Sequence, residues 1–301
     1  MPLPVYYDTR LNPVTFDFAN FLINAEASRQ FTPYTSISLS IIAPSFRQFS
    51  KRDLEYEESE KRWRLHHILG QIPKLLPTVV KMEIQQSLPN HEILAGFPPN
   101  YPDAINKDRR DFYSPAIMLQ LFDKGANLQQ FRASEHAKTL VRTYTRGHAY
   151  VTISLRTSQF QAVRNSNLKA WYKLSLLYKE KGIRVLVIPD FEDCFNERLA
   201  WKYDWDVVDF AAHDLDLRLA LYEDASDNFT VNNGVVTTLF YSKCSFKMFN
   251  VGVPALQTTN EKFISKHWQV EFGKTPRIFQ ENQEWIWQED TLENLIAYID
   301  V

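Results

Sequence analysis

Short apolar runs alternate with amphipathic segments along most of the chain. Residues 5–8 (VYYD) predict a strand, and 17–26 (DFANFLINAE) place Phe18, Phe21, Leu22 and Ala25 at helical spacing. A second strand follows at 36–43 (SISLSIIA), then a charge-rich amphipathic helix over 54–69 that must stop near Pro73, then a strand at 79–84. This β-α-β-α-β rhythm predicts a parallel sheet covered by helices. The stretch 89–115 carries Pro89, Pro98, Pro99, Pro102 and Pro115 and is too long for an ordinary connection. Residues 117–141 read as mostly helical. The polar turn RTYTRGH at 142–148 marks a boundary, giving domains at 1–145 and 146–301.

The second part repeats the rhythm more clearly. Strands are predicted at 149–155 (AYVTISL), 184–188 (RVLVI), 206–212 (DVVDFAA), 229–231 and 246–251. Helices are predicted at 168–181, stopped by Gly182, and at 215–225, 235–241 and 292–299, the last capped by Asp290 or Thr291. The expected fold class is α/β, with two Rossmann-like domains facing across a cleft, parallel sheets and helices on both faces. Ligand would bind at the carboxyl ends of the strands.

Composition narrows the function. With 34 basic and 36 acidic side chains the formal charge is -2, so no cationic excess exists to hold a nucleic-acid backbone. Only 8 glycines occur, where average usage of about 7 percent gives roughly 21. No two are closer than Gly234 and Gly252, which excludes both G-x-G-x-x-G and the P-loop pattern. The two cysteines, Cys194 and Cys244, provide neither a disulfide framework nor a zinc site by themselves. The start, MPLPVYYDTR, does not read as a secretory signal, and the uncharged run 30–46 is broken by Pro33 and Pro44. The expectation is a soluble, cytoplasmic protein with no membrane span.

Candidate chemistry is sought directly after each strand. Arg156 ends the strand at 149–155, and the polar loop behind it carries Arg164, Asn165 and Ser166 before a helix. Guanidinium forks and a helix start suit a diphosphate; the alternative is an ordinary N-cap with two solvated arginines. Asn232, Asn233 and Gly234 precede a helix with Thr237 and Thr238, so their amides and hydroxyls can approach an anion, or they form a plain left-handed turn. Arg218 and Glu223 stand off the apolar stripe of 217–225; Glu223 suits a ribose diol, or is simply solvated. Asp190 is a ligand contact or a turn residue. Asp17, behind the loop after the first strand, suits a general base or a helix cap.

Metal and hydrolase chemistries find less support. Asp204-Trp-Asp206 and Asp214-Leu-Asp216 match the D-x-D spacing of metal-held nucleotide sugars, but such pairs recur by chance, and no metal is assigned. His66 and His67 are adjacent on a predicted helix and point apart. Neither H-E-x-x-H nor G-x-S-x-G is present.

The segments NPVTFDFANFL, ISLR, VRNSN, VLVIPD, LRLALYEDA and VNNG together resemble a bacterial family of glycosyltransferase-like proteins. Its plan is similar to GT-B enzymes, in particular heptosyltransferases and the fucosyltransferase-like group. The resemblance implies two Rossmann-like domains, a nucleotide diphosphate sugar in the second, a glycan or lipid-linked acceptor at the first, and no cofactor or bound metal. It matches Asn232, Asn233 and Gly234 in position to the glycine turn before the pyrophosphate helix, Arg156 to the fucosyltransferase arginine, and Asp17 to the carboxylate base. The usual Asp and downstream His of the turn, the His and Asp-Lys around the arginine, and the glycine of the base loop are missing here. The resemblance implies a glycosyltransferase of cell-surface polysaccharide biosynthesis; an inactive sugar-nucleotide or carbohydrate binding module and a GT-B-fold epimerase remain alternatives.

Overall fold

A computed structural model describes residues 1–43, 49–50, 53, 56–87, 96–99, 101, 111–195, 199, 202–257 and 259–299. The proline-rich stretch expected at 89–115 lies mostly outside the described residues. The chain forms two compact units, Met1–Phe131 and Arg132–Val301.

In the first unit, β1 (Pro2–Asp8), β2 (Ser36–Ile42) and β3 (Val79–Gln85) form a parallel sheet in that order. Phe97 forms a parallel bridge to Val5 of β1. Helix α1 (Asp17–Arg29) connects β1 to β2 and is buried nearly all round, as its run of Phe18 to Ala27 requires. The helix expected over 54–69 is α2 (Glu58–Arg64), which widens into a π turn at Leu65–Leu69. The stretch 117–141, expected to be mostly helical, holds parts of two helices. Helix α3 (Pro115–Asp123) ends before Gly125, whose φ of 98° suits glycine, and α4 (Glu135–Thr145) starts where the Ser134 side chain accepts from Ala137 N. Because the division falls at Phe131, α4 groups with the second unit, whereas the sequence reading puts it before the boundary.

The second unit has a six-stranded parallel sheet. Its strands are β4 (Tyr150–Ser154), β5 (Arg184–Ile188), β6 (Asp206–Val207), β7 (Asp227–Val231), β8 (Phe246–Phe249) and β9 (Gln283–Trp285). The order β6-β5-β4-β7-β8-β9 is, counted within the unit, 3-2-1-4-5-6, the doubly wound arrangement. The covering helices include α5 (Leu168–Glu180), α6 (Phe210–His213), α7 (Leu215–Asp224), α8 (Thr237–Phe240), α9 (Glu261–Trp268) and α10 (Leu292–Ile296). Gly182, at φ 74°, ends α5 as its position predicts.

Strand β4 is buried on both faces, by different chemistry. Val151, Ile153 and Leu155 join the apolar core around Trp171 and Leu174 of α5. Tyr150, Thr152 and Ser154 face the other way and are held by hydroxyl bonds, Tyr150 to the Leu221 carbonyl at 2.8 Å, Thr152 to Asn228 at 2.6 Å and Ser154 to Tyr222 at 2.7 Å. These bonds fix α7 and β7 against the central strand.

Three sequence expectations differ here. Residues 206–212 hold only the two-residue β6 before α6, because Ala211 N bonds back to Val208 O in a turn. The helix expected at 235–241 is a 3-10 turn, Gly234–Val236, running into the short α8. Helix α9 and strand β9 were not legible. The Gln-Glu-Trp of β9 has no apolar run, and α9 buries only Ile264.

Candidate functional site

The connection from β4 runs to β5 on one side of it, while β7 lies on its other side, so the topological switch point falls between β4 and β7. At its carboxyl edge lie the loop 157–165 behind Arg156 and the turn at Asn232. The loop is closed at its base: Arg156 N donates to Ser166 Oγ at 2.9 Å and Ser166 N to the Arg156 carbonyl at 2.8 Å. Arg156 is 4% exposed and turns its guanidinium into the loop. It donates to the Gln161 carbonyl at 3.2 Å, to Asn165 Oδ1 and to the Phe160 carbonyl. Asn165 in turn donates to the Ser158 carbonyl at 3.0 Å, so it orients Arg156 while bracing the loop.

Arg164 reaches across the switch point. It donates to the Asn232 carbonyl at 2.9 Å and Asn232 Oδ1 at 3.1 Å, and to Gln161 Oε1 at 3.0 Å. Its Nε is buried with no hydrogen-bond partner among the described residues. Neither Arg156 nor Arg164 forms an ion pair among the described residues. Burial lowers the pKa of both. For Arg156 the charges of Asp190 and Glu192 oppose this, whereas for Arg164 the like charge of Arg156 adds to it and the value falls to about 10. A buried and a half-buried fork of like charge, both hydrogen-bonded to neutral partners, are costly in the free protein. Guanidinium forks of this kind are suited to an anion with paired oxygens.

The other sequence candidates fall into two groups. Asp190 joins the loop as a brace, accepting from Thr157 N at 3.1 Å and Phe191 N at 2.8 Å. Asn232 tethers Arg164 while its own side chain donates to the Val251 carbonyl at 2.8 Å. Asn233 is extended, and neither it nor Gly234 has a positive φ, so no left-handed turn forms there. Thr237 donates its hydroxyl back to the Gly234 carbonyl at 2.9 Å.

Glu223 lies elsewhere. It is near the end of α7, just before β7 begins, which places it at the amino edge of the sheet, away from the arginines. There it accepts from Ala133 N at 2.8 Å and pairs with Lys138 at 3.1 Å, tying the start of the unit to α7. The D-x-D carboxylates have local partners: Asp204 pairs with Lys179 and Asp206 with Arg184, while Asp214 caps α7 and Asp216 accepts from Ser134. Among the described residues no group of three or more His, Cys, Asp or Glu gathers as metal ligands would.

In the first unit, Asp17 is the first residue of α1, half-buried, with its carboxylate accepting from Thr15 Oγ1 at 3.3 Å. It is not the cap; Phe16 holds that position, and Asp17 sits where a negative charge favours the helix start. The loop before it is anchored by Tyr7 OH to the Pro13 carbonyl at 2.6 Å, and by Val14 N to Asp53 at 3.2 Å. Sequence reasoning missed Asp8, fully buried at the carboxyl end of β1, which accepts from Arg10 and, at 2.6 Å, from Tyr101 OH. This raises the pKa of Arg10, and burial beside Asp8 raises that of Tyr101. An aspartate closing an apolar strand, with an arginine two residues on, is the signal that was available.

No protein-family model and no curated protein matches the sequence. Among solved structures, a family 9 glycosyl transferase from Veillonella parvula is similar at a TM-score of 0.51 and 11% identity, covering 98% of this chain and 95% of that one. The ADP-heptose LPS heptosyltransferase II of E. coli is similar at a TM-score of 0.51 and 12% identity, over 86% of this chain and 88% of that one. At such identities the likeness is one of fold, and the fold is the two-unit α/β plan of GT-B glycosyltransferases.

Proposed function

We propose that this chain is a GT-B-type glycosyltransferase whose second unit holds the diphosphate of a nucleotide sugar on Arg156 and Arg164. The observation that carries this reading is the pair of guanidiniums, Arg156 buried and Arg164 half-buried, that form no ion pair among the described residues at the switch point of a doubly wound sheet. An acceptor hydroxyl on a glycan or lipid-linked sugar attacks the anomeric carbon. The bond from that carbon to the diphosphate oxygen breaks, and the nucleoside diphosphate leaves with its charge offset by the arginines. Asp17 takes the acceptor proton, since its side chain is half-buried while Asp8 is fully buried and paired with Arg10. Asn165, Asp190 and Asn232 hold the arginines in place, and Asn233, Gly234 and Thr237 border the same edge. Charge stabilisation comes from the arginines, without a metal, and the setting is cytoplasmic assembly of a bacterial cell-surface polysaccharide.

Asp17→Asn separates the chemical role from binding. The expected result is a loss of turnover by about a hundredfold, within the range general-base removal gives, with diphosphate affinity unchanged. Turnover is read as nucleoside diphosphate released from a panel of nucleotide sugars with a mixed glycan acceptor pool. Full turnover in Asp17→Asn removes that residue from the mechanism. Diphosphate binding with neither transfer nor hydrolysis by the wild type identifies a binding module.

Burial and the neighbouring Arg156 lower the pKa of Arg164 to about 10, still well above neutrality, so its guanidinium is charged in the working range. Arg164→Gln should therefore weaken ADP binding about tenfold at pH 8, in the range of a hydrogen bond to a charged group. Unchanged affinity by calorimetry would remove Arg164 from the contact.

A further inference from the structure

A third arginine lies beneath the same edge, one that the sequence reading placed off the apolar stripe of its helix. Arg218, on α7, is 4% exposed. Its Nε donates to Tyr222 OH at 2.7 Å and its Nη1 makes a long 3.4 Å bond to the Ala211 carbonyl. It forms no ion pair among the described residues, and its Nη2 has no hydrogen-bond partner among them. A buried guanidinium with one good bond and no carboxylate is expensive unless its charge is used.

The Tyr222 oxygen accepts from Arg218 and shares a hydrogen bond with Ser154 Oγ, 2.7 Å away. Tyr222 and Ser154 are both buried, and Ser154 is the last residue of β4, two positions before Arg156. Arg218 also acts electrostatically on the Cys194 thiol in the loop after β5, so its charge reaches the carboxyl edge on that side too. The nearby acids are already engaged: Asp190 by two backbone amides, Asp209 by Phe195 N at 3.0 Å and Asp193 by Thr157 Oγ1.

We propose that Tyr222, braced by Ser154, fixes the Arg218 charge beneath the carboxyl end of β4, where its field strengthens the hold of Arg156 and Arg164 on a diphosphate. The inference rests on the diphosphate reading of that site. Arg218 acts through its field at that site and is a positioning residue. Its conspicuous features are burial without an acid and a hydrogen-bonded path that ends at the strand carrying Arg156.

The probe is inorganic pyrophosphate, titrated by calorimetry at pH 8 into wild type, Arg218→Gln, Arg218→Lys, Tyr222→Phe and the core variant Leu174→Ala, with urea unfolding measured for each. Arg218→Gln should weaken pyrophosphate binding about tenfold, in the range of a hydrogen bond to a charged group. Arg218→Lys should recover part of that loss, and Tyr222→Phe should lose about threefold while retaining its ring packing. Leu174→Ala should lose stability with pyrophosphate affinity intact. The proposal is overturned if Arg218→Gln or, should that variant not fold, Tyr222→Phe keeps wild-type pyrophosphate affinity, which makes the arginine purely structural. Absence of pyrophosphate binding by the wild type overturns the diphosphate reading itself, and this inference with it.

Discussion

Arg156→Ala should lower nucleoside diphosphate affinity by at least about a hundredfold while leaving the second unit folded. Removing one member of a desolvated charge contact commonly costs about 2–5 kcal/mol, and about 2.7 kcal/mol corresponds to a hundredfold. The same substitution relieves Arg164 of a buried like charge, so its cost to folding is small and the pKa of Arg164 rises from about 10. The loop should persist because Ser166 and Asp190 bind its backbone, through Arg156 N, the Arg156 carbonyl and Thr157 N, independently of the guanidinium. Affinity is measured by calorimetry with a matched nucleoside as control. Equal losses for the nucleoside and its diphosphate would mean a collapsed site and not a lost phosphate contact.

The largest stability loss is expected from Asp290→Ala. Asp290 is buried where the chain enters α10, and its carboxylate accepts from Asn167 N at 2.7 Å, Trp171 Nε1 at 2.6 Å and Asn250 Nδ2 at 2.9 Å. Asp290 N also donates to Asn250 Oδ1 at 3.2 Å. Alanine leaves three donors without an acceptor, two of them buried at about 1–3 kcal/mol each, not fully additive, so a loss of about 3–5 kcal/mol is expected. Asp290→Asn should cost less, since it keeps an acceptor oxygen while turning an amide toward one donor. Urea unfolding followed by tryptophan fluorescence reads the effect as a lower midpoint at unchanged slope. A loss below about 1 kcal/mol would mean that water replaces the carboxylate.

Most strands were legible because they are short apolar runs bounded by turns. RVLVI at β5 reads directly, buried from Val185 to Ile188. Tyr150, Thr152 and Ser154 were legible as strand positions but not as a polar face against α7, because their partners Leu221, Asn228 and Tyr222 are distant in sequence. The arginines were singled out by the rule that ligands meet the carboxyl ends of strands. Arg218 was missed because helical periodicity assigns a charged side chain to solvent, and only the hydroxyl of Tyr222, one turn on, makes its burial tolerable. Glu223 was misread for the converse reason. Its helix type was clear, but its place at the amino edge follows only once α7 is seen to lead into β7. Asn232 was singled out for its backbone amide, whereas its oxygens, which receive Arg164, are what the structure uses.

No helix among the described residues is long and apolar enough to cross a membrane. The most direct test of the diphosphate site is a thermal-unfolding panel of ADP, GDP, UDP, dTDP and CMP, with and without magnesium. A diphosphate at a hundred times its Kd should stabilise the native state by about 2.7 kcal/mol. The account predicts that one nucleoside diphosphate gives this shift without magnesium, that CMP does not, and that Arg156→Ala abolishes it. A panel in which no diphosphate shifts the wild-type protein would contradict it and return Arg156 and Arg164 to loop structure.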